Sequence, residues 1–214
     1  MHRILDIHTH RTAPQHQAVC CASPFDFKPI TDQYYSVGIH PWDTVKPISD
    51  DAWEALEKAA EMPEVRAIGE CGVDLVKGGP LYLQMQVFKR QVDLSERLQK
   101  PLIIHCVHAH DIIIGMKKDL KPTQEWAIHG FRGKPTVARM LVEAGLWISF
   151  GDRFNDASVP EVPTEKLLTE TDESVVPISD IITALSVIRG HDLTDEIAAN
   201  ASRFLSRLDS ADAL

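Results

Sequence analysis

The stretch LDIHTH, residues 5–10, decides how this chain is read. Successive side chains of a β-strand point to opposite faces, so Asp6, His8 and His10 are expected on one face. Three polar groups on one face of an opening strand are poor core material. They are good metal-site material, provided that partners arrive from elsewhere in the chain.

Seven further short apolar runs supply that elsewhere: AVCCAS, YYSVGIHP, VRAIGECGVD, PLIIHCVH, EWAIHGF, LWISFG and KLLTETD. Helical patterns lie between most of them. SDDAWEALEKAAEM opens on the N-cap candidates Ser49 and Asp50 and places Trp53, Leu56 and Ala60 on one face. LYLQMQVFKRQVDLSERLQ is read with a stripe of Leu81, Met85, Phe88, Val92 and Ser95, and KPTVARMLVEAG stops at Gly145. Two more helices, SDIITALSVIRG and DLTDEIAANASRFLSRL, follow. Strand and helix in alternation imply a parallel sheet with covered faces. Eight strands imply an α/β fold of the (β/α)8 TIM-barrel type, although 214 residues is short against the usual length of about 250. Too few residues lie between His10 and AVCCAS for a crossover helix, so the barrel is expected to be distorted, its first helix reduced to a loop. Residues 1–208 read as a single barrel domain and 209–214 as a loose tail.

Composition is ordinary for a globular chain, with 44% apolar and 25% charged residues. The net charge of −9 and the lack of any Lys/Arg block argue against a long electrostatic footprint on nucleic acid. A nucleic-acid substrate would be held locally, by its end, at a metal site. The chain shows neither a signal-peptide pattern nor an apolar run near the roughly 18 residues of a membrane span. Cys20, Cys21, Cys71 and Cys106 form no CxxC pair, which suits reduced thiols in a cytoplasm and small buried side chains. No protein partner is implied.

Barrel active sites sit at the C-terminal ends of the strands. There the sequence places His8 and His10, His40, Glu70 with Asp74, His105, His129 and Asp172. Packing alone explains this poorly, because each unsatisfied buried polar group costs roughly 1–3 kcal/mol. Imidazole with carboxylate suits zinc, manganese and iron-like divalent ions better than calcium. The set suffices for two ions, with Glu70 able to bridge them. A pair about 3.5–4 Å apart polarises a substrate oxygen and draws hydroxide from water. No lysine stands at a matching strand end, and no Ser-His-Asp or Cys-His arrangement competes.

In this order the motifs resemble the TatD-type metal-dependent deoxyribonucleases and hydrolases. DIHTH, VGIHPWD, AIGECGVD, the glutamine-bearing helix with Gln84, Phe88 and Gln91, PLIIHC with IHGFRG, LLTETD and NASRFL, with Asn200 and Arg203, carry the resemblance over nearly the whole chain. It implies a distorted (β/α)8 barrel holding one or two divalent ions, with zinc, manganese and magnesium all admitted. His8, His10, Glu70 and Asp172 would bind the first ion, and Glu70, His105 and His129 the second. Asp172 and Glu70 would be the catalytic carboxylates, with Asp172 taking the proton of an attacking water. The implied reaction is phosphodiester hydrolysis, often from a 3′ DNA end. Asp6 would sit behind a histidine and orient it. The family's usual arginine two residues after the histidine of IIH is Val107 here, and Arg132 is the compensating cation. Together with the short segment between His10 and Tyr34, this points to a short subgroup of the family.

Around this centre, His40, Asp74 and Arg132 are candidate substrate contacts, and Trp42 is a candidate for stacking a base. His108 and His110 read as rim residues, and His2, His16 and His191 as solvated. By alternation Cys71 and Cys106 point into the helix layer. Two other functions fit the same residues: hydrolysis of an amide or ester in a small molecule, and metal binding without turnover.

Overall fold

A computed structural model describes residues 3–12, 17–25 and 27–206. Its eight strands are β1 (Asp6–Thr9), β2 (Ala18–Ala22), β3 (Tyr34–Val37), β4 (Val65–Asp74), β5 (Leu102–Val107), β6 (Trp126–Ile128), β7 (Trp147–Phe150) and β8 (Leu167–Thr169). They form one parallel sheet in sequential order. Helices α1 (Asp50–Ala60), α2 (Leu81–Leu98), α3 (His110–Leu120) and α4 (Pro135–Glu143) follow β3 to β6, and α5 (Ile178–Arg189) and α6 (Thr194–Leu205) follow β8. Two short 3-10 turns, Asp156–Glu161 and Thr164–Lys166, take the place of a helix between β7 and β8. Eight residues separate β1 from β2, too few for a crossover helix. The architecture is a distorted (β/α)8 barrel. His2, His16 and the tail 209–214 lie outside the described residues.

Alternation along the strands sorts the apolar side chains into two cores. Ile7, Val19, Ala67, Ile103, Ala127 and Leu168, one from each of six strands, meet in the barrel interior. Phe204 and Leu205 of α6 pack there with Trp147 and Tyr34, which begin their strands, so α6 covers the N-terminal mouth. Leu56, Phe88, Ile104, Trp126, Leu141 and Ile181 fill the layer between sheet and helices. The interior at the opposite, C-terminal end is polar.

Helix α1 begins as its sequence predicts: the Ser49 hydroxyl accepts from the Ala52 amide at 3.3 Å, a cap worth about 1 kcal/mol. Helix α2 departs from its predicted stripe. Phe88, Val92 and Ser95 are buried, but Leu81 is 38% exposed in the first turn. The buried face turns instead through Gln84 and Gln91. These glutamines reach two strand ends. Gln91 accepts from the Ile39 amide at 2.7 Å and donates to its carbonyl at 3.0 Å, and Gln84 does the same for Asp74 at 2.8 and 2.9 Å. Two buried amides thus fix the backbone beside His40 and at Asp74.

The barrel closes through a thinner seam between β8 and β1. The Asp172 amide donates to His8 O at 2.9 Å, and the His10 amide donates to Asp172 O at 3.1 Å. Asp6 completes the seam, accepting from the Thr171 amide at 3.1 Å and hydroxyl at 2.6 Å.

Candidate metal centre

Two strand irregularities aim the side chains of the centre. In β1, Asp6 pairs with Ala18 and Thr9 with Cys20, so two residues, Ile7 and His8, stand against Val19 alone. Strict alternation is broken, and Asp6 does not share a face with His8. Asp6 turns to the seam, where Thr9 and Thr171 form one hydroxyl pair at 2.9 Å beside it. In β4, Ile68 pairs with Leu102 and Cys71 with Ile104, so Gly69 and Glu70 stand against Ile103 alone. Ala67 faces the interior, so unbroken alternation would send Glu70 outward; the bulge turns it inward. The turn needs glycine. A Cβ at Gly38 would stand 2.8 Å from Glu70 O, and one at Gly72, with φ of 142°, would stand 2.0 Å from His105 O.

Glu70, 7% exposed, is the hub. Its Oε1 lies 2.7 Å from His105 Nδ1, 2.8 Å from His129 Nε2 and 3.0 Å from His40 Nε2. Its Oε2 lies 3.4 Å from His8 Nε2 and 3.7 Å from His10 Nε2. Asp172 Oδ1 faces the same two imidazoles, 3.7 Å from His8 and 3.5 Å from His10. One carboxylate therefore presents its two oxygens to two different sets of histidines.

The rings of the Oε1 set are held from behind. His105 Nε2 donates to Asp74 Oδ2 at 3.0 Å, and His129 Nδ1 faces Glu170 Oε1 at 3.1 Å. The Trp42 amide donates to His40 Nδ1 at 3.1 Å, so His40 caps the 3-10 turn Pro41–Val45 with one nitrogen and faces Glu70 with the other. Such backing fixes tautomer and ring orientation in metal-ligating histidines. The Oε2 set differs. His8 is fully buried, and neither of its ring nitrogens makes a hydrogen bond among the described residues.

These contacts perturb ionisation. Burial pushes the Glu70 carboxyl up, but the His129 charge and hydrogen bonds from His10, His105 and His129 overcome it and hold Glu70 well below the carboxylate range. Burial pulls the His129 imidazole down, and Glu70 and Glu170 outweigh it and hold it well above its ordinary value. Burial raises Asp74 as well, but Trp42, Lys77, His105 and Val76 donate to it and bring it to about 2. Burial takes Asp6 up to about 7 and the Cys21 thiol up to about 12.

Several expected side chains take other places. Asp74, read from sequence as a substrate contact, is 2% exposed and does not line the cavity. Its carboxylate accepts from Trp42 Nε1 at 2.7 Å, from His105, and from the Val76 and Lys77 amides at 2.8 and 2.9 Å, so it positions His105 and Trp42. Asp6 acts on His8 through the backbone, accepting its amide at 3.2 Å, and touches no imidazole nitrogen. His40 and the exposed Arg132 line a cleft of about 1460 Å³ at the C-terminal mouth, together with Trp42, Val107 and Lys134. His108 and His110 stand on its rim, while His191 pairs with Glu196 at 3.3 Å. Cys71 packs in the helix layer; Cys106 packs there too and also borders the cleft. Sequence reasoning passed over Glu170, although alternation from Leu168 points it inward, and Cys21, which alternation from Val19 points inward in the same way.

The family profile described as TatD related DNase matches residues 27–180 of this chain. The chain belongs to that family. Among its relatives, an uncharacterized metal-dependent hydrolase, YabD of Bacillus subtilis, is 32% identical over 149 residues, covering 65% of this chain and 58% of that protein. The 3′-5′ ssDNA/RNA exonuclease TatD of Salmonella typhimurium is 34% identical over 149 residues, covering 64% and 56%. The matched region thus spans little more than half the length of these relatives. The TatD homologue YjjV of Escherichia coli superimposes with a TM-score of 0.78 at 23% identity, over 95% of this chain and 97% of that one. A TatD-family hydrolase of Entamoeba histolytica gives 0.76 at 14% identity, over 95% and 98%. These two likenesses establish the TatD-type barrel.

The donor set fits a divalent ion. His8 is the deciding residue, since a fully buried ring nitrogen without a hydrogen bond costs roughly 1–3 kcal/mol, and an ion between His8 Nε2 and the nearby carboxylates would take up its lone pair. Among the described residues no helix is long and apolar enough to cross a membrane.

Proposed function

We propose that this TatD-family chain is a metal-dependent phosphodiesterase that removes nucleotides from the 3′ end of single-stranded nucleic acid. The observation that carries the reading is the division of Glu70: one oxygen faces His40, His105 and His129, the other His8 and His10. A carboxylate so placed would suit two ions. His8, His10, Glu70 and Asp172 would hold the first, and Glu70, His105 and His129 the second, with His40 beside it. Zinc, manganese and magnesium all remain open as the ions used. When bound, such a pair polarises a phosphoryl oxygen and lowers the pKa of a water.

The chain's own residues do the rest. Asp172, its side chain 29% exposed on the cleft, accepts the proton of the attacking water. Asp74 and Glu170 keep the His105 and His129 rings aimed at Glu70. Arg132 and Lys134, exposed on the rim, offer positive charge to the phosphate backbone, and Trp42 offers a stacking face to a terminal base. The net charge of −9 suits a substrate held by its end rather than along a duplex. Residues 1–208 serve as one catalytic unit, and the four free cysteines suit a reducing cytoplasm.

A second reading has its own observation. Val107 borders the cleft where the family resemblance calls for a cation, which favours a smaller ester or amide substrate. One experiment separates the two. Ion-stripped protein is given manganese, magnesium or zinc and assayed on single-stranded DNA labelled at its 3′ end, beside Glu70→Ala. Ion-dependent nucleotide release that Glu70→Ala abolishes is expected. Turnover of small esters or amides with DNA untouched would replace the nuclease reading by the second.

A further inference from the structure

We propose that Cys21 is a fourth donor to the ion held by His8, His10 and Glu70, and that its sulfur makes this side of the centre select a thiophilic ion, zinc ahead of manganese or magnesium. The inference rests on the metal-centre reading above and assigns it a ligand that the motifs do not contain.

Strand β2 delivers the side chain. Val19 belongs to the interior core while Cys20 and Ala22 pack in the helix layer, so Cys21 points inward one step nearer the C-terminal mouth than Val19. It stands in register with Ser36 of β3 and borders the cleft, where an ion can reach it. Its sulfur and donor atoms of His8, His10 and Glu70 all lie within 4.8 Å of one another. The other thiols are committed differently. Cys20 donates to Arg11 O at 3.1 Å, Cys71 lies 3.6 Å from Ile103 O, and Cys106 packs against the helix layer.

An independent feature of the same spot calls for a ligand. His8 is fully buried beside Cys21, and among the described residues neither ring nitrogen has a hydrogen bond, Nε2 facing only the Glu70 and Asp172 carboxylates at 3.4 and 3.7 Å. Two imidazoles, one thiolate and one carboxylate are four donors of the types zinc takes in tetrahedral sites. Thiolate favours zinc over the harder ions that carboxylate and imidazole also serve. The thiol proton leaves to solvent as the sulfur–metal bond forms. The Oε1 side has no sulfur donor in its set of His40, His105 and Glu70, so the two sides would differ in metal preference. Sulfur would then take the position given above to Asp172, and that carboxylate is left to handle the proton of the water.

The test uses the full chain, stripped of ions and titrated with cobalt(II). A sulfur-to-cobalt charge-transfer absorption in the near ultraviolet is expected. It should vanish in Cys21→Ser and persist in Cys106→Ser, while the visible cobalt absorption survives in both. Zinc affinity should fall roughly tenfold or more in Cys21→Ser, with manganese affinity little changed. Cobalt binding without the sulfur band, or a band that survives Cys21→Ser, would overturn the role of Cys21 and leave the histidine–glutamate centre standing. No cobalt binding at all would overturn both. Should Cys21→Ser fail to fold, alkylation of the wild-type protein gives the answer. Modification of Cys21, located by mass spectrometry, should be slowed by zinc and not by magnesium; equal rates would overturn the proposal.

Discussion

The two sides of Glu70 are built on different principles. On the Oε1 side each histidine is gripped from behind, His105 by Asp74, His129 by Glu170 and His40 by the Trp42 amide. On the Oε2 side the His8 ring is buried with no hydrogen bond behind it among the described residues, and His10 has a side chain 40% exposed. One side is organised by hydrogen bonds before any ion arrives. The other holds a buried ring whose nitrogens find no hydrogen bond among the described residues. The contrast teaches that one carboxylate joins a cluster of histidines held by hydrogen bonds to a pair of which only His10 reaches solvent.

Removing the joint should have the largest effect. Glu70→Gln is expected to bring nucleotide release down to background and to weaken ion binding on both sides, checked by nuclease assay and equilibrium dialysis. Loss on one side alone would break the picture of a shared carboxylate. Next come the backing residues. Asp74→Asn and Glu170→Gln should each weaken ion binding by about 10–100-fold, the usual cost of losing a group that orients a metal-bound histidine. Isothermal titration measures this, and an effect confined to the Oε2 side would invert the comparison.

The pH dependence sharpens it further. Glu70 and Glu170 keep His129 protonated above its ordinary value near 6.5 in the ion-free protein. An ion must displace that proton, so affinity on the Oε1 side should keep rising with pH above about 6.5, by up to about tenfold per unit. Because the folded value is raised, the matching contribution to ion-free stability is full below 6.5 and is lost as pH climbs through the folded value. In Glu170→Gln the rise in affinity should shift to lower pH. A wild-type curve already flat at 6.5 would contradict the assignment. The smallest effect is on stability. His8→Leu removes the unpaired nitrogens, so the ion-free protein should gain about 1–3 kcal/mol, read by denaturant unfolding, while ion binding on the Oε2 side is lost. A destabilised ion-free variant would mean that His8 belongs to the core.

Much of this was legible in the sequence, for identifiable reasons. All eight strands announced themselves as short β-rich runs ending in polar residues, and the histidines at those ends do converge. The helix α3 was harder to see, because HAHDIIIGMKKDL opens on histidines at the rim and the helix itself, His110–Leu120, fully buries only Ile113. The stripe of α2 was displaced by two glutamines, which are buried for the backbone groups they clamp rather than for their polarity. Period-two reasoning failed at Asp6 and would have failed for Glu70, since a bulge sits in each strand. Glu70 was nevertheless picked out through its motif and residue type, and it does sit among the histidines. Cys21 was the opposite case. Simple alternation placed it at the centre, and its residue type, so often a small buried hydrophobe, hid it.

Ion counting on the reconstituted chain tests the shared carboxylate most directly. Equilibrium dialysis against zinc, with bound metal measured on the wild type and on Glu70→Gln, should give two ions per chain in the first and a loss on both sides in the second. Two ions retained at wild-type affinity by Glu70→Gln would contradict the account.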